Sequence, residues 1–291
     1  MTVAASQGAS FATLLKLGRV SNLPTVWTNV LAGTVLAGAD WRGVRMTLVL
    51  VAMSLFYIGG MYLNDYFDRA VDARERPTRP IPAGDISAAA VAAAGAAFLA
   101  CGIALMAAAG TTAAAVGAVL ALCIVGYDAH HKGVVWAPVV MGACRALVYC
   151  GAAAATTGTV SAGVLFPALA CAAYVAGITY AASRESTDSI GDLWPLALLA
   201  APLFPASAAL VQGALATVFY VALAVWLTCA VYLLIKRPRP GAVSRAVGWL
   251  IAGISLVDAA FLAGTGAIGA ACWAVGGFAA TLMLHKQIAG T

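Results

Sequence analysis

The sequence predicts an all-α fold, a polytopic transmembrane helical bundle, on three observations. Of its 291 residues, 63% are hydrophobic and only 9% are charged, against about 25% charge in a soluble domain. The apolar residues gather in ten runs, at about 20–39, 46–63, 88–109, 112–127, 134–156, 162–182, 193–211, 214–235, 246–264 and 267–284. Each lies near the roughly 20 residues that carry a helix across a bilayer. No run alternates polar with apolar residues in the manner of a membrane β-barrel. A soluble globular domain, a disordered chain and a periodic fibrous protein are thereby excluded. With so little sequence between runs, residues 1–291 read as one integral-membrane domain with no soluble module.

Taken in order, the runs are separated by connections of two kinds. Lys16 and Arg19 precede the first run, and the second ends in the polar stretch Asn64–Asp72. The third and fourth are rich in Ala and Gly, which permits close backbone approach between helices and needs no further explanation. The fifth carries Arg145 and the ninth Asp258 inside otherwise apolar sequence. Charge at such depth faces a partner or a cavity, so this pair reads either as a substrate contact or as an ion pair between helices. Thirteen of the sixteen basic residues fall on one side of this arrangement, the exceptions being Arg42, Arg45 and Arg145. The positive-inside rule puts that side, with both termini, in the cytoplasm, and the expected location is a bacterial inner membrane. Because the cations sit beside span ends and do not interleave with aromatics, nucleic acid is not an expected partner; the lipid bilayer is. The seven cysteines lie inside apolar runs without metal-binding spacing and read as small core hydrophobes. The N-terminus lacks the basic stretch of a cleaved signal peptide.

Nine of the eleven acids share the basic face. The first cluster has the form N-D-x-x-D-x-x-x-D, and a spacing of four on a helix would put Asn64, Asp68 and Asp72 in one stripe. Crowded carboxylates repel unless a cation sits between them. Mg²⁺ prefers oxygen ligands, taking one or two carboxylates together with substrate phosphates. Glu185, Asp188 and Asp192 follow the sixth run at similar spacing. Two acidic helix ends at one membrane face would seat a diphosphate through Mg²⁺. Arg76 and Arg79, in the stiff loop RPTRPIPAG, offer guanidiniums suited to bidentate phosphate contacts. Tyr127 and Lys132 flank the mouth of the fourth and fifth runs, and Arg184 adjoins the second cluster. His130 and His131 have no third ligand nearby and read as solvated loop residues.

At these residues the chain resembles the UbiA superfamily of intramembrane prenyltransferases. The resemblance rests on NDYFDRAVD at 64–72, RPTRPIPAG at 76–84, the Tyr127…Lys132 connection and ESTDSIGD at 185–192. It implies nine to ten spans around a central cavity open to lipid, and a prenyl diphosphate held through Mg²⁺ at the two acidic motifs. By position it carries Asn64, Asp65, Asp68 and Asp72 over from the first motif and Asp188 and Asp192 from the second. Arg79, Lys132 and Tyr127 become diphosphate or cavity contacts. Typical members open the second motif with Lys-Asp where this chain has Arg184-Glu185, and the longer Glu arm shifts the geometry.

The chemistry expected on that basis is transfer of the prenyl group to a small acceptor, aromatic by the resemblance. Cations stabilise the charge growing on diphosphate, while tyrosine faces such as Tyr127 and Tyr180 shield the allylic cation. Asp65 or a second-motif carboxylate takes the acceptor's proton. The catalytic expectation thus covers Asp65, Asp68, Asp188 and Lys132. The metal expectation covers Asn64, Asp68, Asp72, Glu185, Asp188 and Asp192. Substrate contacts fall to Asn64, Arg76, Arg79, Tyr127, Tyr180, Arg184 and Arg145. The rival classes are a non-catalytic scaffold of the same fold and a metabolite transporter. The transporter is disfavoured because the ionisable groups gather at one face and not at mid-bilayer.

Overall fold

A short capped helix opens the bundle: α1 (Phe11–Leu17) begins where the Ser10 hydroxyl accepts the Thr13 N–H at 3.2 Å. The structure is a computed structural model that describes residues 10–131, 133–185, 188, 191–237 and 239–288. The chain reverses at Arg19, whose φ of 41° is left-handed, and a 3₁₀ turn, Val20–Asn22, leads into α2 (Leu23–Leu36). Pro24 in the first turn of α2 removes an N–H that would have no helical partner there. Then follow α3 (Val44–Glu75), α4 (Ala88–Ala109), α5 (Thr111–His130), α6 (Ala137–Thr157) and α7 (Ala162–Ala182). Residues Trp194–Val211 form one broken rod, with α8 (Leu203–Ala206) between two 3₁₀ stretches; α9 (Ala214–Lys236), α10 (Ala242–Gly264) and α11 (Ile268–His285) complete the chain.

Among the described residues, nine of these rods are long and apolar enough to cross a membrane. The tenth expected run, 20–39, is the one that falls short: α2 has 14 residues, about 21 Å at 1.5 Å per residue. It is nonetheless central, packed against α3, α6, α10 and α11. Its tight seat against α6 depends on Gly33, where a Cβ would lie 2.6 Å from the Tyr149 carbonyl oxygen. The 193–211 run is broken because Pro195, Pro202 and Pro205 each remove a backbone donor and crowd the preceding turn. At 32 residues, α3 measures about 48 Å, some 18 Å more than the hydrocarbon core. Its surplus is the acidic stretch, which stays helical past the membrane. The buried core centres on α10, with α7, α3 and α6 the next contributors.

Candidate active site

The site forms where the C-terminal part of α3 meets the turn before α2, the loop after α3 and the end of α5. Arg19 and Arg79 converge on the first acidic motif. Arg19 Nη2 donates to Asn64 Oδ1 at 3.2 Å and to Asp65 Oδ1 at 3.1 Å. Arg79 Nη1 donates to Asp72 Oδ2 at 2.8 Å and to Asp65 Oδ1 at 3.3 Å. The left-handed backbone at Arg19 turns the chain so that this side chain reaches α3. The loop after α3 is tied back by the Arg79 N–H to the Arg76 carbonyl at 3.0 Å and the Ala83 N–H to the Arg79 carbonyl at 2.9 Å. Asn64 also donates from Nδ2 to Asp128 Oδ1 at 3.2 Å, joining α3 to α5. Asp68 faces His131, whose Nε2 is 3.7 Å from its Oδ2. The His131 ring stacks on Tyr127 with centroids 4.8 Å apart.

The stripe expected from the spacing of four is therefore divided among partners. Asn64 and Asp72 are buried and bonded to neighbours, and Asp68 stands at the histidine. Among the described residues no three His, Cys, Asp or Glu side chains stand together as a metal set.

The second motif lies at the same face. Glu185 is half-buried, and its Oε1 has no hydrogen-bond partner among the described residues. Burial pushes its carboxyl up from the ordinary glutamate value, while the Arg76 guanidinium nearby pulls it partly back. That proximity brings the loop after α3 to the end of α7. Asp188, at a φ of 44°, points the other way. Its Oδ2 accepts the Gly241 N–H and its Oδ1 the Val243 N–H, both at 3.1 Å, capping the start of α10. Asp192 is exposed, and its carbonyl accepts the Tyr180 hydroxyl at 2.9 Å. The Arg184 guanidinium lies 5.9 Å from the Tyr180 ring centroid. Lys132, Ser186, Thr187, Ser189 and Ile190 lie outside the described residues.

Below the mouth a cavity of about 90 Å³ opens between α3, α5 and α6. Tyr57, Tyr127, Asp128 and Arg145 line its polar parts, and Val26, Met53, Phe56, Leu120, Ile124 and Val148 its apolar walls. Asp128 is 5% exposed, and its Oδ2 is buried without a partner among the described residues. Arg145 does not pair directly with Asp258. Its Nη1 donates to Asn29 Oδ1 at 2.9 Å, and Asn29 Nδ2 donates to Asp258 Oδ2 at 2.8 Å. The Tyr149 hydroxyl donates to Asp258 Oδ1. The two intramembrane charges are thus linked through a neutral amide, while Arg145 also borders the cavity.

From the sequence alone, Arg19 is only a topology charge and Asp128 only one more acid on that face. The signal available for Arg19 is that it is the cation nearest the start of the first run, on the side where the acids collect. For Asn29 and Tyr149 the sequence offers no signal, because their importance depends on which helices touch.

A bundle of apolar helices with most of its charge gathered at one mouth, above a cavity with largely apolar walls, defines an integral-membrane protein. The chain belongs to the UbiA prenyltransferase family, whose model matches residues 23–243. It is 42% identical over 76 residues to the digeranylgeranylglyceryl phosphate synthase of Methanothrix thermoacetophila, a stretch covering 26% of this chain and 28% of that protein. The enzyme of the same name from Methanopyrus kandleri is 41% identical over 73 residues, 25% of this chain and 27% of that protein. The chain thus matches little more than a quarter of the length of these relatives. Its fold resembles the apo structure of a UbiA homolog from Aeropyrum pernix K1, with TM-score 0.68 and 20% identity over 82% of this chain and 96% of that one. It also resembles a UbiA homolog from Archaeoglobus fulgidus bound to GPP and Mg²⁺, with TM-score 0.57 and 14% identity over 88% and 99% of the two chains.

Proposed function

We propose that this protein transfers a prenyl group from a prenyl diphosphate to an acceptor at the mouth of the bundle, with Mg²⁺ as the metal. The observation that carries this reading is the convergence of Arg19 and Arg79 on Asp65 and Asp72 directly above a cavity with apolar walls. The guanidiniums suit phosphate oxygens geometrically, and the walls suit a hydrocarbon chain.

The donor chemistry fits Mg²⁺. The carboxylates of Asp68 and Asp72 and the unpartnered Oε1 of Glu185 are hard oxygen ligands. Since no three such side chains stand together among the described residues, one or two of them would bind the ion together with diphosphate oxygens, with Asp192 at the rim. Asp188 would join them only by giving up its bonds to α10. Bound there, Mg²⁺ would neutralise charge on the diphosphate.

As the allylic C–O bond breaks, its electron pair leaves with the diphosphate, and Arg19 and Arg79 donate to the oxygens gaining charge. Tyr57 and Tyr127 present ring faces at the cavity, where the allylic cation is shielded from water. The acceptor's nucleophilic atom then bonds to that carbon and loses a proton to Asp65 or to a second-motif carboxylate. The family resemblance favours an aromatic acceptor, and the names of the Methanothrix and Methanopyrus relatives favour a glyceryl phosphate. Incubation of purified protein with Mg²⁺ and labelled geranyl diphosphate, with each acceptor class in turn, tests both levels of the proposal. Release of diphosphate that Asp68→Ala abolishes supports the transferase, and unchanged turnover in that variant rejects the site. Binding without turnover would support a scaffold instead. The cytoplasmic placement of the mouth belongs to the same proposal, and a cysteine-accessibility map of its loops tests it.

A further inference from the structure

Ion pairs account for Asp65 and Asp72 at the mouth, but nothing there accounts for Asp128. Its carboxylate is 5% exposed and sits in the cavity wall. Oδ1 accepts from Asn64 at 3.2 Å, and Oδ2 is buried without a hydrogen-bond partner among the described residues. Buried polar atoms are rarely left this way in folded proteins, because the lost hydration is not regained. Met53, Phe56, Leu120, Ile124 and Val148 in the same lining are apolar, and the donors that share it, on Tyr57, Tyr127 and Arg145, make no hydrogen bond to Oδ2. A molecule entering the cavity can supply a donor for Oδ2. A prenyl chain is a hydrocarbon and carries none. A diphosphate is anionic, rich in acceptors, and repelled by a carboxylate. The donor belongs to the other substrate.

We propose that Asp128 binds the acceptor, its Oδ2 accepting a hydrogen bond from the hydroxyl group of the molecule to be prenylated. Asn64 fixes the orientation. By holding Oδ1 it leaves Oδ2 as the atom presented to the ligand, and Asn64 is itself held by Arg19 at 3.2 Å. One chain of contacts, Arg19–Asn64–Asp128, thus ties the diphosphate end of the site to the acceptor end. The site selects for chemical class, since a hydroxyl can donate to Oδ2 and an ether or carbonyl oxygen cannot. With about 90 Å³ available, the hydroxyl-bearing head must be small. The identity of this ligand as the acceptor rests on the transferase reading. The site's preference for a hydroxyl does not.

Paired probes that differ only in the donor test this directly. The full-length protein in lipid nanodiscs is dialysed to equilibrium against labelled p-cresol and, separately, labelled 4-methylanisole, with empty nanodiscs subtracting partition into lipid. A hydrogen bond that only p-cresol can donate predicts that the wild type holds it about tenfold tighter than 4-methylanisole. Asp128→Asn should abolish that preference. Its carbonyl oxygen stays with the Asn64 amide, and the group turned to the cavity becomes an NH₂ donor. Equal retention of the two probes by the wild type would overturn the proposal, as would a p-cresol preference that survives Asp128→Asn. The wild-type ratio needs no substitution, so it decides the matter even if the variant misfolds. Diphosphate release is measured on the same preparation. Its failure with the p-cresol preference intact removes the transferase and leaves the hydroxyl site, whereas release with equal probe retention removes the role of Asp128 alone.

Discussion

Replacing Arg79 with Met should weaken the fold when divalent ions are absent and make Mg²⁺ a better stabiliser than it is for the wild type. Arg79 Nη1 stands 2.8 Å from Asp72 Oδ2 and 3.3 Å from Asp65 Oδ1, and those carboxylate side chains are 6% and 8% exposed. At an effective dielectric constant near 20, unit charges 2.8 Å apart attract by about 6 kcal/mol. Desolvation offsets much of this while the pair is intact, but removing one partner of a buried pair costs about 3–5 kcal/mol. Asp65 keeps Arg19 at 3.1 Å, so the loss falls mainly on Asp72 and should lie near the low end, about 3 kcal/mol. Met keeps the apolar stem that packs along the loop. The bared Asp72 should then welcome a divalent ion. Mg²⁺ at 100 times its dissociation constant would return about 2.7 kcal/mol, while affinity for pyrophosphate falls because a guanidinium is missing. Unfolding in detergent, followed by circular dichroism in EDTA and again in Mg²⁺, measures both halves. A variant as stable as the wild type in EDTA, or equal Mg²⁺ shifts in the two proteins, would refute the reasoning.

Tyr149→Phe removes the hydroxyl that donates to Asp258 inside the bundle; it should lower unfolding free energy by about 1–3 kcal/mol without preventing Mg²⁺ from stabilising the protein, as thermal melts with and without the ion would show. Asp188→Ala removes two acceptors at the start of α10; the amides of Gly241 and Val243 should exchange hydrogen faster, with a stability loss of about 0.5–2 kcal/mol, and unchanged exchange would disprove the cap. Glu185, raised by burial above its ordinary value of 4.5, favours the neutral form in the fold. Its contribution to stability is full below that ordinary value and is lost as pH rises through the raised one. Glu185→Gln should flatten that part of the stability–pH curve in EDTA, and a curve of unchanged shape would show that Glu185 is not the group responsible. Gly33→Val should separate α2 from α6, because even its Cβ would stand 2.6 Å from a backbone oxygen. A loss of about 1–3 kcal/mol is expected, and a neutral result would mean the helices are not this close.

The helical class and the gathering of most acids and bases at one end of the bundle are legible because both depend on composition along the chain, which the bilayer sorts strongly. Ten apolar runs predict ten rods, and every run is found in a rod or broken rod. The shortness of α2 and the break at 194–211 escaped because hydropathy does not register caps or prolines. Pairing within the site was another matter. Asn64, Asp68 and Asp72 do share a helix, as their spacing requires, yet each has a different partner. Asp65 meets Arg19 across 46 residues and Asn64 meets Asp128 across 64, choices fixed by helix rotation and by one left-handed residue. Asp188 looked like a ligand because it was an acid in an acidic motif. Its use as a cap depends on where α10 begins, 53 residues on.

The charge arrangement also explains how such a mouth can exist before any ligand arrives. Four groups, Arg19, Asp65, Arg79 and Asp72, neutralise one another in a partly buried chain of ion pairs. The cost of drawing ions out of water is therefore met during folding, when the whole bundle can supply the compensation. On the proposed reading, binding a magnesium diphosphate is then an exchange of partners. The arginines turn from carboxylate to phosphate oxygens, the carboxylates turn from guanidinium to metal, and each charge keeps an opposite neighbour throughout. Little further desolvation is needed at the moment of binding, and the dipoles already point where charge will grow. A mouth lined by acids alone would repel itself when empty, and one lined by arginines alone would hold the released diphosphate too tightly. The interleaving of the two lets the site close on substrate and open on product. Asp128 stands apart from that chain of ion pairs. Its Oδ1 accepts from a neutral amide, Asn64, and its Oδ2 has no hydrogen-bond partner among the described residues, which on the proposed reading leaves that oxygen open to a neutral hydroxyl.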